Sequence, residues 1–273
     1  MNKVAKTVKD EGVEQTNVAP PVKAASRSVV IRQGRGRLGG STLLEYVTTR
    51  ARLDGRPVIV GDGDVDHASL SQIYRPDTPG GAVQPKSAQP ADLHQWVTRL
   101  LGQAAEEQSS LVLDLGGGEA ILRDYGQDTS LVDFCGEVGL QSVGLFMCGA
   151  DPADFDHIVG IWDSAHFRPK WSILVLNEHL TPPGRSAMGA FNSIMERPEF
   201  ERMVGEGMLT MTMPRLVAMP DMRNAGLTFF EALSGKAGRD GRPLGPMQLF
   251  QIRKWMERFE GNLRDAGGAE WLP

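Results

Sequence analysis

The chain has 273 residues, 41% of them hydrophobic and 23% charged, with a formal net charge of −5. That composition describes an ordinary globular protein, long enough for one large α/β domain. It excludes a low-complexity chain, and the acidic balance argues against a surface coated in positive charge for nonspecific nucleic-acid binding. No apolar run approaches the roughly 18 residues of a membrane span, and the start Met1-Asn2-Lys3-Val4-Ala5-Lys6 lacks the apolar core of a signal peptide. Only two cysteines, Cys135 and Cys148, are present. The expectation is a cytoplasmic protein with reduced, buried thiols.

Residues 1–27 are rich in Lys, Glu, Val, Ala and Pro without periodicity, and Ala19-Pro20-Pro21 interrupts any local element, so a disordered N-terminal extension is expected. Ser28-Val29-Val30-Ile31 is short, β-branched and apolar, as suits a strand buried on both faces. After it comes the glycine-rich stretch Gly34-Arg35-Gly36-Arg37-Leu38-Gly39-Gly40-Ser41-Thr42, and then a helical pattern running to about Leu53. A glycine-rich turn between a strand and a helix N-terminus points backbone N–H groups at one spot, where the helix dipole adds positive potential. It reads either as a plain turn or as a phosphate cradle. The spacing resembles the P-loop G-x-x-x-x-G-K-[ST], with Gly34 and Gly39 as its glycines and Ser41 as the Mg²⁺-binding hydroxyl. Gly40 stands where that motif has its phosphate-binding lysine.

Val58-Ile59-Val60 predicts a second buried strand, ending in Gly61-Asp62-Gly63-Asp64-Val65-Asp66-His67. In open parallel sheets ligands bind at the carboxyl ends of strands, so Asp62 and Asp64 would face the nucleotide site. The same residues also read as an Asp/Gly loop that caps the next helix through Asp66 or Ser69. The prolines and glycines from Arg75 to Ala91 predict a long surface loop, and the stripe Leu93, Trp96, Val97, Leu100 and Leu101 predicts a helix capped by Asp92. Ser110-Leu111-Val112-Leu113-Asp114-Leu115-Gly116-Gly117-Gly118 is an apolar strand ending in a carboxylate, the Walker B pattern, with glycines that let the backbone pass near a γ-phosphate.

Val143 to Cys148 predicts another strand, followed by the acidic loop Asp151–His157, whose carboxylates read as helix caps rather than metal ligands. Trp171 to Leu176 predicts a further strand ending in Asn177, and Arg215 to Met222, which contains Pro220, a last one. After Gly245-Pro246, Leu249, Ile252, Trp255, Met256, Phe259 and Leu263 form the apolar stripe of an amphipathic helix. Docking of that helix on its own sheet is favoured over a membrane surface.

The order of these motifs resembles the ParA/MinD superfamily of deviant Walker A ATPases, over roughly Ser28 to Leu233. In that family the loop reads K-G-G-x-G-K-[ST]-[ST]; here Arg35 takes the place of the front lysine and Arg37 replaces a glycine. The resemblance implies an α/β fold with a doubly wound, mostly parallel sheet and helices on both faces. It also implies ATP and Mg²⁺ as cofactors, with Gly34, Gly36, Arg37, Gly39, Gly40, Ser41 and Thr42 around the phosphates. Asp62 and Asp64 would orient the attacking water, Ser41, Asp64 and Asp114 would hold the metal, Asn177 would read the purine edge, and Pro220 would pack on the base. Arg35 would reach a partner's phosphate across a homodimer.

The domain reading is a single nucleotide-binding domain at 28–245 between the 1–27 extension and a C-terminal helix and tail at 246–273. Within the superfamily the Asp62-Gly63-Asp64 region and Leu227-Thr228-Phe229-Phe230-Glu231-Ala232 look most similar to plasmid TraL/StbB-like proteins. The function then expected is a nucleotide-dependent dimerising switch in plasmid partition or conjugative transfer, with a DNA or protein partner and slow hydrolysis because the lysine is missing. The alternative is a noncatalytic scaffold that kept the fold and lost nucleotide turnover.

Overall fold

The computed structural model describes residues 27–273 apart from 117, 118, 129 and 183. The extension expected at 1–27 therefore lies outside the described residues but for Arg27, and so do Gly117 and Gly118. The strands are β1 Ser28–Gln33, β2 Val58–Asp62, β3 Ser110–Asp114, β4 Gln141–Cys148, β5 Trp171–Asn177 and β6 Leu209–Met213. All neighbours run parallel, in the order β2-β3-β1-β4-β5-β6. The first half of the chain supplies the helices α1 Gly40–Leu53, α2 Ser69–Ile73, α3 Pro90–Glu106, α4 Glu119–Asp128, α5 Leu131–Glu137 and α6 Pro152–Ser164. The second half supplies α7 Ala187–Met195, α8 Pro198–Gly205, α9 Met219–Ala225, α10 Phe229–Leu233 and α11 Pro246–Asp265. This is an α/β fold with one all-parallel, doubly wound sheet and helices on both faces, as expected.

Strand alternation sorts the core into two layers, because successive side chains on a strand point to opposite faces. Val30, Val60, Val112 and Val175 pack with Leu43, Leu44 and Val47 of α1 and with Ile252, Trp255 and Phe259 of α11. On the opposite face Val29, Ile31, Leu111 and Leu113 meet α3, α4 and α5, while Phe146, Cys148, Leu174 and Leu176 meet α6, α7 and α8. The same rule decides the polar strand ends: Arg32 falls on the face of Val30, Asp62 on that of Val60 and Asp114 on that of Val112. All three therefore lie on the α1 side, at the carboxyl end of the sheet. There the chain reverses its winding direction beside β1, and open sheets leave a crevice at such a point.

Two expectations hold with detail added, the surface loop after Arg75 and the helix cap in the acidic segment after β4, and two change, the place of Asp92 and the last strand. The stretch from Arg75 to Ala91 is laced to the sheet: Val83 N donates to Val60 O at 2.8 Å and Asp62 N to Val83 O at 3.0 Å, which covers the exposed edge of β2. Asp92 sits inside α3, which begins at Pro90, since proline suits a first helical turn whose N–H has no partner. The acidic segment after β4 is helical: Asp151 is the N-cap, accepting from Ala153 N at 2.9 Å, and Asp154 and Asp156 belong to α6. The last strand is Leu209–Met213, and Arg215 to Met222 turns into α9 with Pro220 in its first turn.

The amphipathic helix α11 lies on its own domain. Ile252, Trp255, Phe259 and Leu263 are buried in the same core as α1, and Asn262 Nδ2 donates to Thr212 O at 2.8 Å. Among the described residues no helix is long and apolar enough to cross a membrane. Cys135 and Cys148 are free and buried, and burial pushes both thiols up to about 12.

Candidate functional site

The site begins with the turn out of β1. Gly34 has φ +112°, and a Cβ there would lie 2.6 Å from the backbone oxygen of Met147, so only glycine lets the chain leave the sheet on this path. Arg37 has φ 66°, a left-handed conformation at the position where the resembled loop carries glycine; it costs about 1 kcal/mol for a residue with a Cβ. Among the described residues, the N–H groups of Arg35 to Gly39 have no backbone acceptor. α1 starts at Gly40 without a side-chain cap, so its first N–H groups are open as well.

Over this loop opens a cavity of about 1240 Å³, reached from β1, the Asp64–Gln72 segment and the segment from Arg223 to Arg239. Its lining carries seven cationic side chains, Arg32, Arg35, Arg37, Arg75, Arg223, Lys236 and Arg239, against the three carboxylates Asp64, Asp66 and Glu231. Three of the seven pair with carboxylates behind the wall, Arg32 with Asp114, Arg35 with Asp154 and Arg223 with Glu45, and Lys236 pairs with Glu231, so the local positive excess is small.

The structure brings Gly34, Arg35, Gly36, Arg37, Gly39, Gly40, Ser41, Thr42 and Asp64 to the cavity wall. Behind the wall, Asp114 accepts from Ser41 Oγ at 2.6 Å through Oδ2, and from Arg32 Nη2 at 2.9 Å and Gly116 N at 3.2 Å through Oδ1. Asp62 does not reach the cavity. It is fully buried, its Oδ2 accepts from the N and Oγ of Ser71 at 2.7 and 2.8 Å, and burial above all, with the charge of Asp114, raises its carboxyl above the ordinary range. Asp64 Oδ1 accepts from His67 N at 3.0 Å, closing the turn before α2, whose N-cap is Ala68 without a side-chain cap, so neither Asp66 nor Ser69 caps that helix.

Asn177 and Pro220 are also away from the cavity wall. The Asn177 side chain donates to Leu38 O at 2.9 Å and accepts from His179 N at 3.0 Å, so both ends of the amide are engaged in holding the loop to β5. Pro220 lies in the first turn of α9. Arg35, half-exposed, pairs within the chain with Asp154 at 3.2 Å.

ATP fits the donor set, because open amides and flanking cations answer its phosphates. A divalent ion does not. Mg²⁺ requires hard oxygens with uncompensated negative charge, whereas Asp62 faces Ser71, the charge of Asp114 is already neutralised by the buried guanidinium of Arg32, and Asp64 alone remains on the cavity wall, accepting from His67 N. Among the described residues no group of three or more His, Cys, Asp or Glu side chains is placed to hold a metal.

The sequence reading missed Arg32, Arg223, Lys236 and Arg239 as site residues. Arg32 had a usable signal, since a charged residue ending an otherwise apolar strand needs a buried partner. The other three come from a segment more than 180 residues further along, and no local pattern tied them to the loop.

Arg223 joins the two parts. Its Nη2 donates to Thr42 Oγ1 at 3.2 Å and pairs with Glu45, which is fully buried in α1. Burial pushes the Glu45 carboxyl from 4.5 up to about 7, against the opposing pull of Arg223. A carboxyl raised in the native state favours folding fully below its unfolded value, and this contribution is lost as pH rises through about 7. Glu45→Gln should therefore flatten the pH dependence of stability between pH 4.5 and about 7, by up to about 3 kcal/mol. Urea denaturation of both proteins across that range checks it, and parallel curves would show that another group sets the slope.

No protein-family model and no curated protein sequence matches the chain. Solved structures do show likenesses. The MinC:MinD cell division protein complex of Aquifex aeolicus matches at 11% identity over 84% of this chain and 96% of that chain, with a TM-score of 0.47. The MinD cell division protein of Aquifex aeolicus matches at 14% identity over 85% and 97%, with a TM-score of 0.42. Chloroplast FtsY of Physcomitrella patens matches at 16% identity and a TM-score of 0.43, over 63% of this chain and 55% of that one, so the chain spans about half of its length. Residues of this chain, rather than these likenesses, decide what the cavity can hold.

Proposed function

We propose that this chain is a nucleotide-binding switch of the ParA/MinD-like kind, in which occupation of the loop Gly34–Thr42 by ATP, rather than rapid turnover, sets the state. The observation that carries this reading is the row of open amides from Arg35 to Gly39 and at the start of α1, facing a cavity lined by arginines. Open amides from Arg35 to Gly39 and at the start of α1 would hold the phosphates, with Ser41 and Thr42 beside them and Arg37 at the mouth. Hydrolysis is slow or absent. Gly40 offers no ammonium to the charge that grows in a phosphoryl-transfer transition state, and losing one such contact costs on the order of 10²–10³ in rate. Asp62, the nearer of the paired carboxylates to the strand end, faces Ser71 and not a nucleophilic water.

In this reading the nucleotide-bound form is a homodimer in which Arg35 leaves Asp154 for the partner's phosphate, as the front lysine does in the resembled family. A cytoplasmic role in plasmid partition or conjugative transfer, with DNA or a partition or transfer protein as partner, is supported by the TraL/StbB-like stretches alone. The Arg32–Asp114 pair favours the second reading, a scaffold that has lost nucleotide turnover.

Titration with a fluorescent ATP analogue, together with phosphate release and mass in solution, separates the two. Saturable binding with a rise toward dimer mass and little phosphate release is the expected result. No binding at millimolar nucleotide would leave the scaffold.

A further inference from the structure

We propose that Arg32 is the resident cation of this site: its guanidinium stands in for the lysine that Gly40 lacks and for the charge of a divalent ion on Asp114, so that polyphosphate binds without metal. The inference rests on the nucleotide-binding reading and adds to it the form in which the nucleotide binds.

Two departures from the P-loop pattern explain each other. A Cβ at Gly40 would lie 2.5 Å from Cδ and 2.6 Å from Nε of Arg32, so the stem of a lysine at 40 and the side chain of Arg32 claim the same space. With no side chain at 40, the arginine reaches from β1 under the first turn of α1. It is there as a structured group and not as a surface cation. Arg32 is 8% exposed, Nη1 donates to Gly34 O at 2.9 Å and to Arg35 O at 3.4 Å, and Nη2 pairs with Asp114.

Nε is the part left over. It is buried, has no hydrogen-bond partner, and lies beside Gly40 where the helix N-terminus opens on the cavity that Arg32 lines. A buried N–H on a charged group without an acceptor is costly, and an anion seated on the loop supplies one. Guanidinium suits phosphate and keeps its charge when buried, which an ammonium does less readily.

The consequence concerns the metal. The hydroxyl of Ser41 and the carboxylate of Asp114 are the pair that holds Mg²⁺ in a P-loop of ordinary sequence. Here they bond each other, and the carboxylate is already paired with a fixed positive charge. A divalent ion entering beside Arg32 would meet like charge in a poorly solvated place and would have to displace it.

The test is affinity for a fluorescent ATP analogue in Mg²⁺ and in EDTA, for the wild-type chain, Arg32→Met and the double variant Arg32→Met/Gly40→Lys, with folding followed by circular dichroism. Wild type should bind equally within about twofold in the two buffers. Arg32→Met should lose more than tenfold in EDTA and recover part of it in Mg²⁺, because Asp114 is freed. The double variant should show ordinary Mg²⁺ dependence. A wild-type affinity that falls tenfold or more in EDTA, or an Arg32→Met variant that binds as well as wild type in EDTA, overturns the role of Arg32 and leaves the nucleotide reading standing. Absence of wild-type binding in both buffers overturns both. The wild-type comparison needs no variant, so it decides even if Arg32→Met fails to fold.

Discussion

Asp114→Ala should lower stability by about 3–5 kcal/mol, far more than the loss of a surface carboxylate. The substitution strands three donors at once: the guanidinium of Arg32, the hydroxyl of Ser41 and the N–H of Gly116. The guanidinium matters most, since the side chains of Arg32 and Asp114 are only 7% and 2% exposed and an uncompensated charge there has no water to turn to. Truncating one partner of a buried pair is costly, while removing both charges is often close to neutral. Asp114→Ala/Arg32→Met should therefore recover most of the lost stability. Chemical denaturation of wild type, the single variant and the double variant measures the coupling. If the double variant is as unstable as Asp114→Ala alone, the loss comes from elsewhere in the loop and the pair is not what holds β1 and β3 together at this end.

Trp255→Ala should cost about 3–5 kcal/mol, lowering the unfolding midpoint on the order of 10 °C for a chain of this size. Trp255 is 4% exposed and stacks between Phe229 and Phe259, with ring centroids 4.6 and 5.1 Å away. Tyr46 of α1 meets the same group edge-on at 5.5 Å, and the indole N–H donates to Pro214 O at 2.6 Å. The truncation would leave a cavity in the layer that supports α1, together with a carbonyl lacking its donor. Phe250 is the control on the same helix: it is 53% exposed, and Phe250→Ala should change stability by no more than about 0.5 kcal/mol. Thermal unfolding of the two variants separates a helix that is part of the core from one that lies loosely against it. Equal, small effects would show that α11 is not part of the core.

Much of the fold was legible because its signals are local. A buried strand is a short β-branched run, as at Val29-Val30-Ile31, and a glycine-rich turn followed by Ser41-Thr42 marks the start of a helix whatever else the chain does. Alternation along each strand then places Arg32 with Val30, Asp62 with Val60 and Asp114 with Val112, and the parallel register between neighbours puts the three on one face. Where the expectation failed, a distant contact outweighed a local preference. Arg215 to Met219 is apolar enough for a strand, but β6 had already filled the edge beside β5, and the chain turned instead into α9.

The candidate site divides along the same line. The sequence by itself determined a glycine-rich turn between a strand and a helix, the carboxylates at the ends of β2 and β3, and the helix stripe that buries Trp255. Only the tertiary structure decided what those groups face. Asp62 turns to Ser71, Asn177 to Leu38, and Arg32 to Asp114 through the space that Gly40 leaves, while Arg223, Lys236 and Arg239 arrive from the far end of the chain. The reason is physical: a residue's place along a strand follows from the backbone repeat, but the partner that neutralises a buried charge is chosen by packing, which joins segments that sequence distance keeps apart.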